Sequence, residues 1–210
     1  MKIEPFFHNY ELLVDKAESA FLRMEKEQGS CIQCRLHCSD CCHAVFGLFL
    51  IEAVYMREHF EHMDEGQKAR ILARAEEADR ELERIQKRLK AFEDDPQMQI
   101  YTLARERIRC PLLDDKDECI LYQRRPITCR VYGIPTRIRG KAHVCGKAGF
   151  NPGETYPVFD LDAAYRDLFL LSKGLLDEAG INSEDKASLL ISMSKAIRTP
   201  LDDLIREDFK

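Results

Sequence analysis

The sequence lacks any apolar run long enough to cross a bilayer, which takes roughly 20 residues. Its longest apolar run, residues 44–51, is far shorter and is interrupted by Gly47. Residues 1–5 also lack the apolar stretch that opens a signal peptide. These absences predict a cytoplasmic protein without a membrane partner.

Low-complexity tracts and internal repeats are absent as well. With 10 Gly and 8 Pro among 210 residues the chain is not collagen-like, and 45% hydrophobic residues exclude a disordered one. A chain of this length lies near the upper edge of the usual single-domain range and can bury a substantial core. We therefore expect one globular domain, residues 1–210.

Cysteine, by contrast, is abundant, and the chain contains nine. Thiols in the cytosol stay reduced, so a spaced set of cysteines there indicates a metal site or catalysis rather than disulfides. An odd number cannot pair completely within one chain. Eight bridged cysteines and one free thiol would fit the same count, so the count alone does not decide.

Positive charge is concentrated in a segment that contains four of the nine cysteines. The chain has a net charge of -5, yet residues 105–147 carry eleven Arg or Lys against five Asp or Glu. Positive neighbours lower the pKa of thiols and compensate the charge of thiolates at a metal site. A nucleic-acid surface is the alternative, but it is disfavoured because only Tyr122 and Tyr132 supply aromatic rings in this stretch.

Apolar residues recur at helical spacing in several segments. The steps of three and four in residues 6–24 predict a first helix, and residues 48–60 predict a buried helix or a strand that turns into one. A narrow apolar seam in the charged residues 64–93 predicts a long exposed helix. Its small Ala75 and Ala78 allow a partner helix to approach closely.

Proline and glycine divide the rest of the chain. Pro96 opens another helix, which runs toward residue 109. The stretch 110–146 contains three prolines and three glycines, so it should form turns and short strands. Beyond it, residues 160–179 and 183–197 each predict one amphipathic helix.

The nine cysteines form two groups. The first is Cys31-x2-Cys34-x3-Cys38-x2-Cys41-Cys42, and the second is Cys110-x8-Cys119-x9-Cys129-x15-Cys145. Short spacings let a tight turn aim successive sulfurs at one centre about 2.3 Å away, as in zinc knuckles and iron–sulfur loops. The adjacent Cys41 and Cys42 point apart and bind one ion together only under strain. Their presence favours a cluster of several metals, or two neighbouring sites.

Other interpretations of these residues stay open. Buried free cysteines can pack as small hydrophobic residues, although five in twelve residues is too dense for a packing stripe. Thiol catalysis or a Cys-x2-Cys redox dithiol is also conceivable, but it leaves seven cysteines unexplained. His37 and His43 could add nitrogen ligands, yet each alone is more typical of a surface residue or of a hydrogen-bond partner to a ligand.

At these residues the sequence resembles a known family, the YkgJ-like cysteine-cluster proteins described as zinc- or iron-chelating domains. The first match runs from Cys34 through Cys38-Ser39-Asp40-Cys41-Cys42, where the family shows Cys-x2-Cys-x2-Cys-Cys. The second comprises Arg109-Cys110-Pro111-Leu112-Leu113, Cys119-Ile120-Leu121-Tyr122 and Arg125-Pro126-x2-Cys129-Arg130-x-Tyr132. The extra residue after Cys34 and the additional Cys31 leave open which of these two is the family's first ligand.

The resemblance implies metal chelation, with metal ions as the binding partners. Motif and spacing together predict seven ligands, with Cys31 and Cys145 as weaker candidates. Arg109, Arg124, Arg125 and Arg130 are expected to balance the charge of the thiolates. The seven are Cys34, Cys38, Cys41, Cys42, Cys110, Cys119 and Cys129.

The predicted fold is mainly α, a single helical domain around an irregular cysteine-rich metal-binding centre with short strands or turns. The centre spans residues 31–145 and is flanked by N- and C-terminal helices, and residues 110–146 should be ordered largely through ligation. The predicted cofactor is an iron–sulfur cluster, [4Fe–4S] in type, with zinc or iron ions as the alternative.

Two classes of function follow from such a centre. A metal-binding protein would serve electron transfer, sensing or metal handling. An oxidoreductase or group-transfer enzyme would use the centre on a bound substrate. The second class is kept because relatives of the cluster occur in proteins that methylate flagellin lysines.

Overall fold

The computed structural model describes residues 2–207, and the regular structure of this part of the chain is mainly helical. Its strands are β1 (Thr136–Ile138), β2 (Lys141–His143) and β3 (Phe159–Asp160). Its α-helices are α1 (Glu4–Gln28), α2 (Leu50–Glu61), α3 (Glu65–Leu89), α4 (Pro96–Arg105), α5 (Ile127–Val131), α6 (Leu161–Glu178), α7 (Glu184–Ser188), α8 (Met193–Arg198) and α9 (Leu201–Arg206).

Helix α2 forms the centre of the hydrophobic core. Its residues Leu50, Ile51, Val54 and Met56 are fully buried, and α1, α6, α8 and α9 pack around it. A helix that is apolar on all sides loses the amphipathic period that distinguishes a helix from a buried strand. This is why the sequence left residues 48–60 undecided between the two.

The long helix α3 has the predicted seam. Asp64 caps its N-terminus by accepting hydrogen bonds from two backbone N–H groups. Ala75 and Ala78 are buried, and the helix packs against α8. Arg198 of α8 pairs with Asp79 of α3 at 2.5 Å.

The segment 183–197, predicted as one helix, instead forms the two short helices α7 and α8, so that prediction was wrong. Between them Ile191 exchanges two backbone hydrogen bonds with Leu48, at 2.8 and 2.7 Å. A continuous helix would leave the buried backbone of Leu48 without these partners. Ser192 then starts α8 by accepting from the N–H of Lys195 at 3.1 Å.

The β1–β2 hairpin is attached to the start of α6. Strand β1 pairs antiparallel with β2 and parallel with β3, which leads directly into α6. The turn residues Arg139 and Gly140 have positive φ. Asp162 of α6 accepts the N–H of both residues, at 2.8 and 3.1 Å. This contact holds the hairpin that leads to Cys145.

Residues 110–146 form turns and short strands as predicted, together with the short helix α5. The expectation that ligation largely orders them stays a prediction, but apolar packing also contributes. Leu112, Ile127, Val131 and Ile134 are fully buried in the main hydrophobic core. Apolar packing therefore fixes this segment at several points, and a metal has only the intervening loops left to order.

The predicted fold class is confirmed, because helices flank an irregular cysteine-rich region with a small sheet in a single domain. No helix within residues 2–207 has both the length and the apolar character needed to cross a membrane. Whether the domain boundaries coincide with residues 1 and 210 stays a prediction.

Candidate metal centre

Backbone hydrogen bonds bring the two cysteine segments side by side. The N–H of Cys110 donates to the carbonyl of Cys42 at 2.7 Å, and the N–H of Ile108 donates to the carbonyl of His43 at 3.0 Å. In the sequence 67 residues separate Cys42 from Cys110. Their main chains are nevertheless in direct contact, so both segments reach the same region.

A single 3-10 turn, Asp40–His43, carries the adjacent Cys41 and Cys42. The turn closes when the N–H of Cys42 donates to the carbonyl of Ser39 at 3.0 Å. Within it, both cysteine side chains reach thiols of the second segment. The two side chains therefore serve one region, although neighbouring side chains in an extended chain would diverge.

The histidines stand outside this arrangement. The Nδ1 atom of His43 lies 3.0 Å from the carbonyl of Ser39 and so serves the turn itself. His37 is more than half exposed, and its Nδ1 atom lies 2.9 Å from the carbonyl of Lys116. Neither ring contacts a thiol in these interactions.

The second segment delivers Cys119 and Cys129 from different elements. Cys119 follows a tight loop in which Asp114 accepts the N–H groups of Lys116 and Glu118, both at 2.9 Å. Cys129 lies in α5, which packs against α1. A loop and a helix thus approach the turn of Cys41 from two directions.

Four thiols, those of Cys41, Cys42, Cys119 and Cys129, line the same cavity and are linked in a row by contacts, and we call them the four-thiol group. Cys41 is hydrogen-bonded to Cys42 and Cys129, and Cys42 is also hydrogen-bonded to Cys119. Cys110 lies close enough for its charge to interact with those of Cys119 and Cys41. Five of the predicted ligands therefore meet.

The contacts divide the four-thiol group into donors and acceptors. Hydrogen bonds from Cys129 and Cys42 lower the pKa of the Cys41 thiol, and the hydrogen bond from Cys42 lowers the pKa of Cys119. The pKa values of the donors Cys42 and Cys129 are raised by the same bonds. Hydrogen bonds between the thiols thus favour ionisation within the group, and the thiolate is the form of cysteine that binds metals.

Arg125 is the cation whose charge acts on the pKa values of these thiols. Its charge lowers the pKa of Cys41 and Cys119, after the larger effect of the hydrogen bonds. The guanidinium lies over the ring of Tyr122, 3.5 Å from its centroid. Its Nε donates to the carbonyl of the same residue at 2.8 Å. These contacts hold the charge in place beside the thiolates.

The other arginines of the motif bind elsewhere. Arg109 donates to the carbonyl of Asp114 at 2.6 Å, and Arg124 donates to the hydroxyl of Tyr55 at 2.9 Å. Arg130 is almost fully buried and holds two backbone carbonyls and the carboxylate of Glu18. Of the four arginines predicted to balance thiolate charge, Arg125 alone has resolved effects on the four-thiol group.

A cavity of about 470 Å³ lies over the four-thiol group. Cys34, Cys38 and Cys145 also line it, so seven of the nine cysteines border one space. Cys110 lines a smaller cavity of about 70 Å³ that also borders the four-thiol group and has mainly apolar walls. Cys31 borders neither of these two cavities, and its carbonyl accepts the N–H of Gly149 at 2.7 Å.

Asp40 connects Cys145 to the first cysteine segment. The thiol of Cys145 donates to its Oδ2 at 3.3 Å, and Arg107 binds its Oδ1 at 2.8 Å. Burial opposes ionisation of Asp40, but the bond from Cys145 and the charges of Arg107 and Lys147 prevail and lower its pKa. An ionised carboxylate therefore stands at the wall of the large cavity.

The donor set fits a thiolate-binding metal, because seven sulfurs border a cavity large enough for a small cluster. Within residues 2–207, however, no three Cys, His, Asp or Glu side chains already stand in an arrangement that would hold a metal ion. All nine cysteines are free thiols. Burial also raises the pKa of Cys110 to about 12 and that of Cys34 to about 11. Metal binding would have to displace these protons.

Comparison with protein families agrees with this chemistry. The family model CxxCxxCC, described as "Putative zinc- or iron-chelating domain", matches residues 33–146, more than half of the chain. The chain belongs to this family. No curated protein and no solved structure matches the chain significantly. The CxxCxxCC match includes Cys34 and Cys145 and begins after Cys31.

A glycine in the CxxCxxCC segment fixes the place of Cys34. A Cβ added at Gly133 would lie 2.1 Å from the Cys34 sulfur, so Gly133→Ala must displace that thiol. If Cys34 is a ligand, we expect zinc affinity to fall by about 10–100-fold, measured by competition with a chromophoric chelator. Gly146→Ala is the control, because no atom lies within 4 Å of its added Cβ. Equal affinity of both variants would remove Cys34 from the ligand set.

Sequence reasoning missed two residues of this site. Asp40 was interpreted only as part of the CxxCxxCC motif, although a carboxylate between Cys38 and Cys41 itself indicates a polar partner for nearby thiols. Glu52 was missed entirely, although it is the only charged residue in the apolar segment 44–56. An isolated charge in such a segment indicates a buried group with specific partners.

Proposed function

We propose that the chain is a metal-binding protein whose clustered cysteines chelate iron, as an iron–sulfur cluster, with zinc as the alternative metal. The observation that carries the proposal is the four-thiol group, in which cysteines from two distant segments line one cavity and their main chains are joined by the hydrogen bond from Cys110 to Cys42. The donors would be Cys34, Cys38, Cys41, Cys42, Cys110, Cys119 and Cys129, with Cys31 and Cys145 as weaker candidates.

The number and crowding of the sulfurs support iron over zinc. A zinc ion takes four ligands, whereas seven cysteines border one cavity here. The adjacent Cys41 and Cys42 both belong to the four-thiol group, and this suits a centre with several metal atoms better than a single ion. Two neighbouring tetrahedral zinc sites would satisfy the same number of sulfurs and remain the competing arrangement.

An iron–sulfur cluster would supply reversible one-electron chemistry at this position. The chain's own residues would bind it through thiolates, and Arg125 would offset part of their negative charge. The role that we propose is electron transfer, sensing or metal handling in the cytoplasm, by one domain with its metal-binding core at residues 31–145.

One observation favours the alternative function, an oxidoreductase or group-transfer enzyme. The smaller cavity borders the four-thiol group, and its walls include Phe46, Leu82 and Met193. Such a space could hold a small apolar part of a substrate beside the metal. A metal protein that only transfers electrons has no need of this cavity.

Anaerobic purification with metal analysis and an absorption spectrum tests the proposal. We expect iron and inorganic sulfide, with a broad absorption band at about 400 nm that dithionite bleaches. Colourless protein with stoichiometric zinc would contradict the iron–sulfur assignment and retain the thiol ligands. Protein that holds neither metal, even after anaerobic reconstitution, would contradict the proposed function.

A further inference from the structure

The buried carboxylate of Glu52 links α2 to the helix that carries Cys129. Its Oε1 accepts the N–H of Ile127 at 3.0 Å, and its Oε2 accepts the N–H of Phe49 at 3.3 Å. Ile127 is the first residue of α5, and Phe49 directly precedes α2. One side chain therefore binds the starts of two helices, although Glu52 and Ile127 lie 75 residues apart in the chain.

Helix α5 depends on such external contacts. It has five residues and no side-chain cap of its own, and an isolated helix of this length does not persist in water. Its orientation is set by the core packing of Ile127 and Val131 and by the hydrogen bond that the N–H of Ile127 donates to Glu52. Because Cys129 lies in the same turn, whatever orients α5 also sets where that thiol stands.

The burial of Glu52 would be costly without a specific role. The side chain is 2% exposed, and burial raises its pKa to about 7, opposed by the hydrogen bonds from the N–H groups of Ile127 and Phe49. Tyr10 faces it from α1 and Tyr165 from α6. A carboxylate in such surroundings is retained only where its hydrogen bonds are needed.

We propose that Glu52 is a positioning residue for the metal centre, an inference that rests on the proposed function. Glu52 orients α5 so that Cys129 meets Cys41. The role requires two acceptor oxygens. In Glu52→Gln one oxygen becomes an NH₂ group, so either Ile127 or Phe49 must face another donor. The side chain keeps its size, and the change is confined to hydrogen bonding and charge.

Zinc binding to the reduced full-length chain tests the proposal, with a chromophoric chelator as competitor. We expect Glu52→Gln to weaken zinc binding by about 10–100-fold, as is typical when a residue that orients a ligand is lost. Glu58→Gln is the matched control, because Glu58 lies on the same helix and, within residues 2–207, forms its ion pair with His62, at 3.6 Å. It should bind zinc within about twofold of the unchanged chain.

A double-mutant cycle separates positioning of Cys129 from a general loss of stability. If Glu52 acts through Cys129, Glu52→Gln should weaken binding little further in a Cys129→Ser background. In a Cys145→Ser background its full effect should persist. The same loss in both backgrounds would overturn the proposal, as would Glu52→Gln protein that binds zinc normally.

Two further outcomes are distinguishable. If circular dichroism shows that Glu52→Gln does not fold, the cycle is run with Glu52→Asp, which keeps both oxygens but shortens their reach, and the same criteria apply. If the unchanged chain binds no zinc and holds no iron, the proposed function fails and this inference fails with it. Normal zinc binding by the unchanged chain and by every Glu52 variant overturns the inference alone.

Discussion

Replacing Cys119 or Cys129 by serine should remove most of the metal from the protein. Each thiol contacts one of the adjacent cysteines, Cys119 reaching Cys42 and Cys129 reaching Cys41. Losing a thiolate ligand should weaken metal affinity by more than the roughly 100-fold that an orienting neighbour costs. A hundredfold loss is about 2.7 kcal/mol, which lowers the melting temperature of a chain of this size by roughly 5–10 °C.

The matched control is Cys31→Ser, because Cys31 borders neither cavity and makes its backbone contact through a carbonyl that serine retains. Its metal content and melting temperature should stay at the level of the unchanged protein. Cys145→Ser should lie between the two, since its thiol bonds to Asp40 at the cavity wall. Full metal content in Cys119→Ser or Cys129→Ser, with loss of metal in Cys145→Ser, would reverse the proposed ligand ranking.

The helical part of the fold was predictable because its signals are local. A seam at steps of three and four predicts α3 whatever surrounds it, and the same holds for α1. The break between α7 and α8 was not predictable from local pattern. It depends on the backbone of Leu48, which lies more than 140 residues earlier and pairs with Ile191. Such pairing appears only once the chain is folded.

The candidate ligands were also readable from the sequence, since cysteine motifs at short spacing are specific. The residues that surround these ligands could not be predicted from the sequence. Glu52 lies outside both cysteine segments, and its hydrogen bond to Ile127 joins positions far apart in the chain. Arg109 and Arg125 occupy similar places in the motif, yet only Arg125 has a resolved effect on the four-thiol group. The direction of a long side chain is a property of the fold rather than of the motif.

Removing the metal should loosen two segments of the chain and leave its core unchanged. Residues 31–43 contain no fully buried side chain, and within 137–149 only Cys145 is buried. The N–H of Gly149 joins the two segments through the carbonyl of Cys31. Because these residues have little apolar packing of their own, they depend mainly on hydrogen bonds, on the ion pairs of Asp40 and on the ligation of their cysteines for their order.

Amide hydrogen exchange of reduced protein, before and after anaerobic removal of the metal with a chelator, measures this effect. We expect exchange to rise at least about tenfold in residues 31–43 and 137–149, equal to about 1.4 kcal/mol of local stability. Peptides from α2 and from residues 127–134 should not change, because Ile127, Val131 and Ile134 stay in the apolar core. Faster exchange throughout α2 would mean that the metal supports the whole fold. Unchanged exchange in both segments would mean that the cysteines there do not hold the metal, since bound ligands cannot open without releasing it.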